Sequence, residues 1–260
     1  MKSGSYRNNP QPFRREIELA TGSGSMPVHV LQPGSARVTP VPAVIVFMDA
    51  PGIRSELLEL AAVIAREGYC CAVPDLYYRL GRIRLDLTRR SESHGTVYRA
   101  LASTLVNSEV MDDTVAVCDF LRTLTEVRHP PIGCVGFSVG GRFAVQAAGL
   151  LPDKVAVAVS VCGTGIVTDQ PDSPHRFLAV TKAHLVFDFA EHDPAVPPGV
   201  ITTLQSVLAT ANARFRITVE PGTHHGYNFP SRPIYNAVAA ENTWHRTFEA
   251  LKGLLAFSSV

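Results

Sequence analysis

The 260-residue chain lacks the features that would direct it to a membrane or to nucleic acid. It has no run of 18 apolar residues, and its polar, proline-interrupted start has no apolar signal-peptide core. Lysine plus arginine number 24 against 23 aspartate plus glutamate, so the net charge of +1 provides no field that attracts DNA, RNA or an anionic membrane. We therefore expect a cytoplasmic protein with a small-molecule partner, no nucleic-acid partner and no membrane partner.

Patterns of disulfide and metal binding are missing as well. The five cysteines are odd in number, lie almost entirely in apolar runs and include no C-x-x-C pair, which favours buried thiols. The adjacent His224 and His225 have neither the H-E-x-x-H pattern nor the Cys/His spacing of a zinc site. The sequence therefore predicts no metal.

Hydrophobic residues make up 46% of the chain, enough to bury a sizeable core. The length permits one domain or two, but no proline- or glycine-rich linker divides the sequence. We expect a flexible N-terminal arm over residues 1–15 and a single domain over residues 16–260.

Alternation of apolar runs with helical stripes indicates the fold class. An antiparallel hairpin is expected at residues 16–20 and 27–31. Further strands are predicted at 43–48, 69–73, 132–136, 155–161, 184–189 and 215–219, and helices at 55–67, 108–124, 142–150, 200–213 and 234–255. This order predicts an α/β protein with a mostly parallel central sheet and helices on both faces. Ligands of such sheets bind beyond the carboxyl ends of the strands.

A G-x-S-x-G motif stands at one of those ends, in Gly136-Phe137-Ser138-Val139-Gly140-Gly141. It follows an apolar strand and precedes a helix, which is the context of a nucleophile elbow, where small flanking residues let strand and helix approach each other. Glycine and serine are common enough for the motif to arise by chance. Its position and the downstream partners make Ser138 the predicted nucleophile.

A serine hydroxyl needs a base, and the base needs an orienting acid; in this fold the chain order is Ser, acid, His. Asp193, just after the strand at 184–189, is the predicted acid. Asp188 lies inside that strand, Glu191 fits a solvated loop charge, and capping of the next helix is the other role open to Asp193. His225, just past the strand at 215–219, is the predicted base.

The oxyanion of a tetrahedral intermediate needs backbone donors. Val139, after the nucleophile, offers one N–H group at the start of a helix. The loop Met48-Asp49-Ala50-Pro51-Gly52 follows the first central strand, where this fold places a second donor. Pro51 has no N–H group, so Ala50 is the predicted donor.

Together these motifs resemble the dienelactone hydrolase family over residues 16–255. The resemblance is carried by the elbow, by Asp193 before Ala195-Val196-Pro197, and by His225-Gly226-Tyr227. It also includes Asp75-Leu76-Tyr77-Tyr78-Arg79 and a tail with Arg232-Pro233, Tyr235, Ala239-Ala240-Glu241 and Trp244. It implies an α/β-hydrolase fold without a separate lid domain, no metal or organic cofactor, and hydrolysis of lactones or small esters by Ser138, Asp193 and His225.

Three departures from the family pattern bear on the substrate. The founding enzymes have a cysteine at the place of Ser138 and a glutamate at the place of Asp49, whose part in gating or activating the nucleophile is left open. Arg79 matches an arginine implicated in reading the substrate carboxylate, whereas the second such arginine is here Phe229. Asp49 and Arg79 are thus candidate substrate-binding residues, and the departures argue against dienelactone itself.

Several alternatives stay open. The basic loop with Arg79, Arg82, Arg84, Arg89 and Arg90 fits either attraction of an anionic ester or acyl-CoA thioester, or a solvated face. A nucleotide-binding oxidoreductase is disfavoured, because the glycine-rich turn after the strand at 155–161 lacks its third glycine. Two further interpretations are a catalytically silent ligand-binding module and an acyltransferase with the same triad.

Overall fold

The computed structural model describes residues 10–85, 87, 93–129 and 131–256. The strands are β1 (Phe13–Thr21), β2 (Gly24–Gln32), β3 (Ala43–Phe47), β4 (Cys70–Pro74), β5 (Ile132–Phe137), β6 (Val155–Val161), β7 (His184–His192) and β8 (Phe215–His224). The α-helices are α1 (Ser55–Arg66), α2 (His94–Ser103), α3 (Asn107–Thr123), α4 (Val139–Leu150), α5 (Pro198–Thr210) and α6 (Ala237–Ala256). Strands alternate with helices from β3 onward, as predicted, except that two helices follow β4 and the described residues between β6 and β7 form no α-helix.

The chain forms two compact units, Met1–Pro130 and Pro131–Val260. In the first unit the strand order is β1-β2-β4-β3. β1 and β2 form the predicted antiparallel hairpin, paired from Phe13 with Gln32 to Thr21 with Gly24, and β2 continues antiparallel to β4. β3 and β4 are parallel, and every residue of both is buried. Their apolar runs are typical of strands covered on both faces.

The second unit has four parallel strands in the order β5-β6-β7-β8. α4 packs against β5 and β6, and α6 packs against β6 and β7. Because parallel strands point the same way, the residues that follow β5, β7 and β8 emerge at one edge of this sheet. These are the segments that carry the three predicted triad residues.

The structure also differs from the predicted elements. α2 was not expected from the sequence, and α4 begins at Val139 rather than at residue 142. β7 and β8 continue to His192 and His224, and β1 already begins at Phe13. The five cysteines are free and buried, as predicted. Within the described part of the chain, no helix combines the length and the hydropathy needed to cross a membrane.

Candidate active site

Ser138 lies on a sharp turn between the last residue of β5 and the first residue of α4. Its backbone has φ 52° and ψ −119°, a conformation that costs a non-glycine residue energy unless the surroundings impose it. Its N–H group donates to the Val161 carbonyl at 2.9 Å. Its carbonyl accepts from the amides of Gly141 at 2.9 Å and Thr164 at 3.1 Å. The neighbouring strand and loop therefore hold the elbow on both sides.

The glycines around Ser138 are required by close backbone approach. A Cβ atom on Gly136 would lie 2.1 Å from the Gly140 carbonyl oxygen, and one on Gly141 would lie 2.7 Å from Gly163 Cα. Both distances are far below van der Waals contact with backbone atoms that cannot rotate away. Gly136 of the motif and Gly141 directly after the motif are thus required for a steric reason in this structure.

Three predicted residues come together at the edge of the sheet. Ser138 Oγ lies 2.8 Å from His225 Nε2, and His225 Nδ1 lies 2.6 Å from Asp193 Oδ2. An ionised carboxylate only accepts hydrogen bonds, so His225 Nδ1–H donates to Asp193 and the Nε2 lone pair faces the serine hydroxyl. This is the geometry of a nucleophile, a base and an orienting acid.

Asp193 is fixed independently of the histidine. Its side chain is 1% exposed, and Oδ1 accepts from the Ala195 amide at 3.0 Å. Its carbonyl accepts from the Val196 amide at 3.0 Å. One carboxylate oxygen therefore anchors the turn after β7, and the other is left for His225.

The loop after β8 is anchored by contacts with α6. Tyr227 is fully buried, with its hydroxyl 2.6 Å from Thr243 Oγ1 on α6. The aromatic ring of Phe137, directly before Ser138, makes edge contacts with Phe229 at 5.6 Å and with Trp244 at 6.4 Å between centroids. The elbow and the histidine loop therefore share one apolar support on α6.

Val139 is the first residue of α4 and is buried. Its amide is one of the first-turn N–H groups that have no acceptor within the helix. The partial positive charge of the helix N-terminus favours negative charge at the same place. The role of Val139 as an oxyanion donor stays a prediction.

Asp49 and Ala50 form a tight turn in the first unit, directly after β3. Asp49 is completely buried, and both of its carboxylate oxygens accept from the Arg54 guanidinium. The Asp49 carbonyl accepts from the Gly52 amide at 2.9 Å, and the Tyr77 hydroxyl donates to the Ala50 carbonyl at 2.8 Å. The Asp49 carbonyl and the Ala50 N–H group belong to one trans peptide and point in opposite directions, so the bond from the Gly52 amide directs the Ala50 amide away from the turn.

Arg79 already has a carboxylate partner within the first unit. Its guanidinium donates to both oxygens of Asp113 on α3, at 2.8 and 3.0 Å, and Glu109 lies 3.4 Å away. Arginine typically binds a carboxylate through two parallel hydrogen bonds, and Asp113 already occupies both of these donors. Its role in reading a substrate carboxylate stays a prediction.

The rest of the predicted basic loop is paired as well where the structure describes it. Arg82 binds Glu16 and Glu18, and Arg84 binds Asp75. Arg89 and Arg90 lie outside the described residues. The partners of Arg82 were missed because they lie on the β1–β2 hairpin, 64 positions away in the case of Glu18, whereas Asp75 lies only nine positions before Arg84.

One buried cluster between β7, β8 and α6 was not predicted from the sequence. Arg246 on α6 donates to Asp188 on β7 at 2.6 Å and also binds Glu220 on β8. The available signal was Asp188 itself, since an acid inside an apolar strand needs a buried partner. No group of three or more metal-ligating side chains occurs among the residues that the structure describes.

Comparison with known proteins agrees with this geometry. A protein of Escherichia coli (strain K12) named carboxymethylenebutenolidase is 29% identical over 216 residues, which cover 82% of this chain and 77% of that protein. A protein of Bradyrhizobium sp named as a 2-oxo-3-(5-oxofuran-2-ylidene)propanoate lactonase is 25% identical over 218 residues, covering 82% of this chain and 84% of that protein.

Solved structures show the same fold. A dienelactone hydrolase from Klebsiella pneumoniae subsp. pneumoniae MGH 78578 aligns with a TM-score of 0.83 at 23% identity, over 95% of this chain and 100% of that chain. One from Anabaena variabilis ATCC 29413 aligns with a TM-score of 0.64 at 17% identity, over 94% and 99%. The model of the dienelactone hydrolase family matches residues 26–255. The chain therefore belongs to the dienelactone hydrolase family, and it is a hydrolase of the lactone and ester type with an α/β-hydrolase fold.

Proposed function

We propose that the chain is a serine hydrolase that cleaves a small ester, lactone or thioester through an acyl-enzyme on Ser138. The observation that carries this proposal is the continuous chain of hydrogen bonds from Ser138 Oγ to His225 at 2.8 Å and from His225 to Asp193 at 2.6 Å. The strained backbone of Ser138 adds support, because such strain concentrates at functional sites.

The first step of the proposed reaction depends on His225 Nε2, which can accept the proton of the serine hydroxyl. Ser138 Oγ attacks the substrate carbonyl carbon while its proton passes to His225 Nε2, and the carbonyl π electrons move to oxygen. The Val139 amide stabilises that oxyanion, and Ala50 remains the predicted second donor. On collapse the C–O or C–S bond breaks, and the leaving group takes the proton from His225.

Water then hydrolyses the acyl-enzyme, with His225 again acting first as base and then as acid. His225 accepts a proton from water, the resulting hydroxide adds to the acyl carbon, and Ser138 leaves with the proton returned by the imidazole. Asp193 holds the imidazole in the required tautomer and offsets the charge of the imidazolium. No cofactor is needed for these steps.

Three of the cysteines, Cys70, Cys71 and Cys162, are not alternative nucleophiles. Burial raises the pKa of Cys70 and Cys162 to about 12, and that of Cys71 rises well above the ordinary value for the same reason. Since the thiolate is the reactive form, these thiols are inert at neutral pH. This observation favours Ser138, although the founding members of the family use cysteine.

The test is covalent labelling with a small fluorophosphonate, read by intact mass and peptide mapping. We expect one adduct on Ser138 in the wild type, none in Ser138→Ala, and slower labelling in Asp193→Asn. Hydrolysis of short esters and lactones should disappear in Ser138→Ala. A folded wild-type protein that takes up no label, or takes it up at another residue, would contradict the proposal and favour a silent binding module.

A further inference from the structure

His192 and His224 form an exposed pair beside the triad that the proposed reaction does not use. His192 ends β7 and His224 ends β8, and the two residues are register partners on these neighbouring strands. Both side chains are exposed, that of His192 by 57%. The ring centroids lie 5.2 Å apart, and the ring planes are inclined by 42°.

This separation fits two imidazoles that share one metal ion. With a Zn–N distance of about 2.0–2.1 Å, the centroid of a bound imidazole lies about 3.2 Å from the metal, so two rings at a tetrahedral ion are about 5 Å apart. The strand ends therefore hold the rings at a distance compatible with one shared ion.

We propose that His192 and His224 are the two protein ligands of a site for a divalent transition metal that prefers imidazole, namely Zn²⁺, Cu²⁺ or Ni²⁺. Water completes the coordination sphere. The charge of the neighbourhood favours a cation, because Glu191 Oε2 lies 3.5 Å from His192 Nε2. That carboxylate is itself held by the Gly222 amide at 2.7 Å.

The position of the pair gives the metal a regulatory effect on the triad. His192 directly precedes Asp193, and His224 directly precedes His225. A metal bound by both rings ties together the two strand ends that carry the acid and the base. We therefore expect Zn²⁺ to slow hydrolysis; this expectation, unlike binding itself, depends on the proposed function.

Isothermal titration calorimetry of the untagged full chain with ZnCl₂ tests the binding. We expect one Zn²⁺ per chain in the wild type and a loss of affinity of about 100-fold or more in His192→Gln and in His224→Gln, because the second imidazole binds intramolecularly. His245→Gln is the matched control, since His245 on α6 is 71% exposed and has Glu249 at 3.7 Å. MgCl₂ should give no heat of binding, because Mg²⁺ prefers oxygen ligands.

Cu²⁺ electron paramagnetic resonance gives an independent measurement, with two nitrogen ligands expected in the wild type and one in each single variant. Zn²⁺ binding that persists in the double variant His192→Gln/His224→Gln, or its absence in the wild type, would overturn the site. For regulation, Zn²⁺ should slow ester hydrolysis by the wild type but not by the double variant. Equal slowing of both proteins would refute the regulatory role without touching the calorimetric result.

Discussion

Asp188 makes the stability of the fold depend on pH between the acid range and neutrality. The residue is completely buried in β7, and among the described residues its Oδ2 atom has no hydrogen-bond partner. Burial raises the pKa of Asp188 to about 7; the Arg246 guanidinium opposes this shift, and the nearby Glu220 carboxylate adds to it. One guanidinium thus serves two buried carboxylates, which leaves Asp188 incompletely compensated when it is ionised.

The sign of the effect follows from proton linkage. The folded-state pKa of Asp188 lies above the ordinary value of 3.8, so the folded state binds the proton more tightly than the unfolded chain. The stabilisation is complete below pH 3.8 and is lost as the pH rises through about 7. Three pH units at 1.36 kcal/mol each correspond to about 4 kcal/mol, of which about 3 kcal/mol falls between about pH 4.5 and about pH 7.5.

Asp188→Asn removes this titration while keeping the size of the side chain. Urea unfolding of wild type and variant across that pH range gives the free energy of unfolding of each. We expect the variant to gain about 3 kcal/mol relative to the wild type as the pH rises. Asp153→Asn, at an exposed site paired with Lys182, controls for the loss of one negative charge. Parallel curves for wild type and Asp188→Asn would refute the reasoning.

Three further predictions concern the site. Gly136→Ala should abolish ester hydrolysis and lower Tm, because the new Cβ would lie 2.1 Å from a backbone oxygen. As a control, Gly253→Ala, in open space on α6, should stabilise the protein by about 0.5–1 kcal/mol. A wild-type Tm and rate for Gly136→Ala would contradict the steric argument. Asp193→Asn should lower kcat by about 10³- to 10⁴-fold with an unchanged circular dichroism spectrum, and near-full activity would assign the acid role elsewhere. Arg79→Ala should lower Tm by breaking the pair with Asp113. If Arg79 also reads a substrate carboxylate, the same change should raise KM for an anionic ester more than for a neutral one, and equal KM effects on both esters would refute that role.

The sheet could be predicted from the sequence because burial leaves a direct pattern. The strands β3, β5 and β6 are almost completely buried, so their sequences are continuous apolar runs. α2 was missed because it has only ten residues, none of them buried, and the spacing of its few apolar side chains, such as Val97 and Leu101, is too short a pattern to predict a helix. The start of α4 was placed too late because Gly140 and Gly141 are poor helix formers, although close approach to Gly163 requires a glycine at position 141.

Long-range ion pairs could not be predicted in the same way. Arg79 meets Asp113 across 34 positions, and Arg246 meets Asp188 across 58. Nothing in local sequence selects one carboxylate among 23 acidic residues as the partner of a given arginine. The sequence therefore predicted a basic loop near the cleft, whereas the described arginines of that loop all bind protein carboxylates.

The two aspartates of the β7 segment show how hydrogen bonding decides which acid can serve a histidine. Asp188, inside the strand, shares one guanidinium with Glu220, and one of its oxygens has no partner among the described residues, so its proton is retained at higher pH. Asp193 directly follows the strand end, and its oxygens accept from the Ala195 amide and from His225. The proposed role of Asp193 as the orienting acid relies on this pair of donors. Its position just beyond the strand end makes the arrangement possible, because the Ala195 amide there is free of the sheet and the His225 loop follows the neighbouring strand.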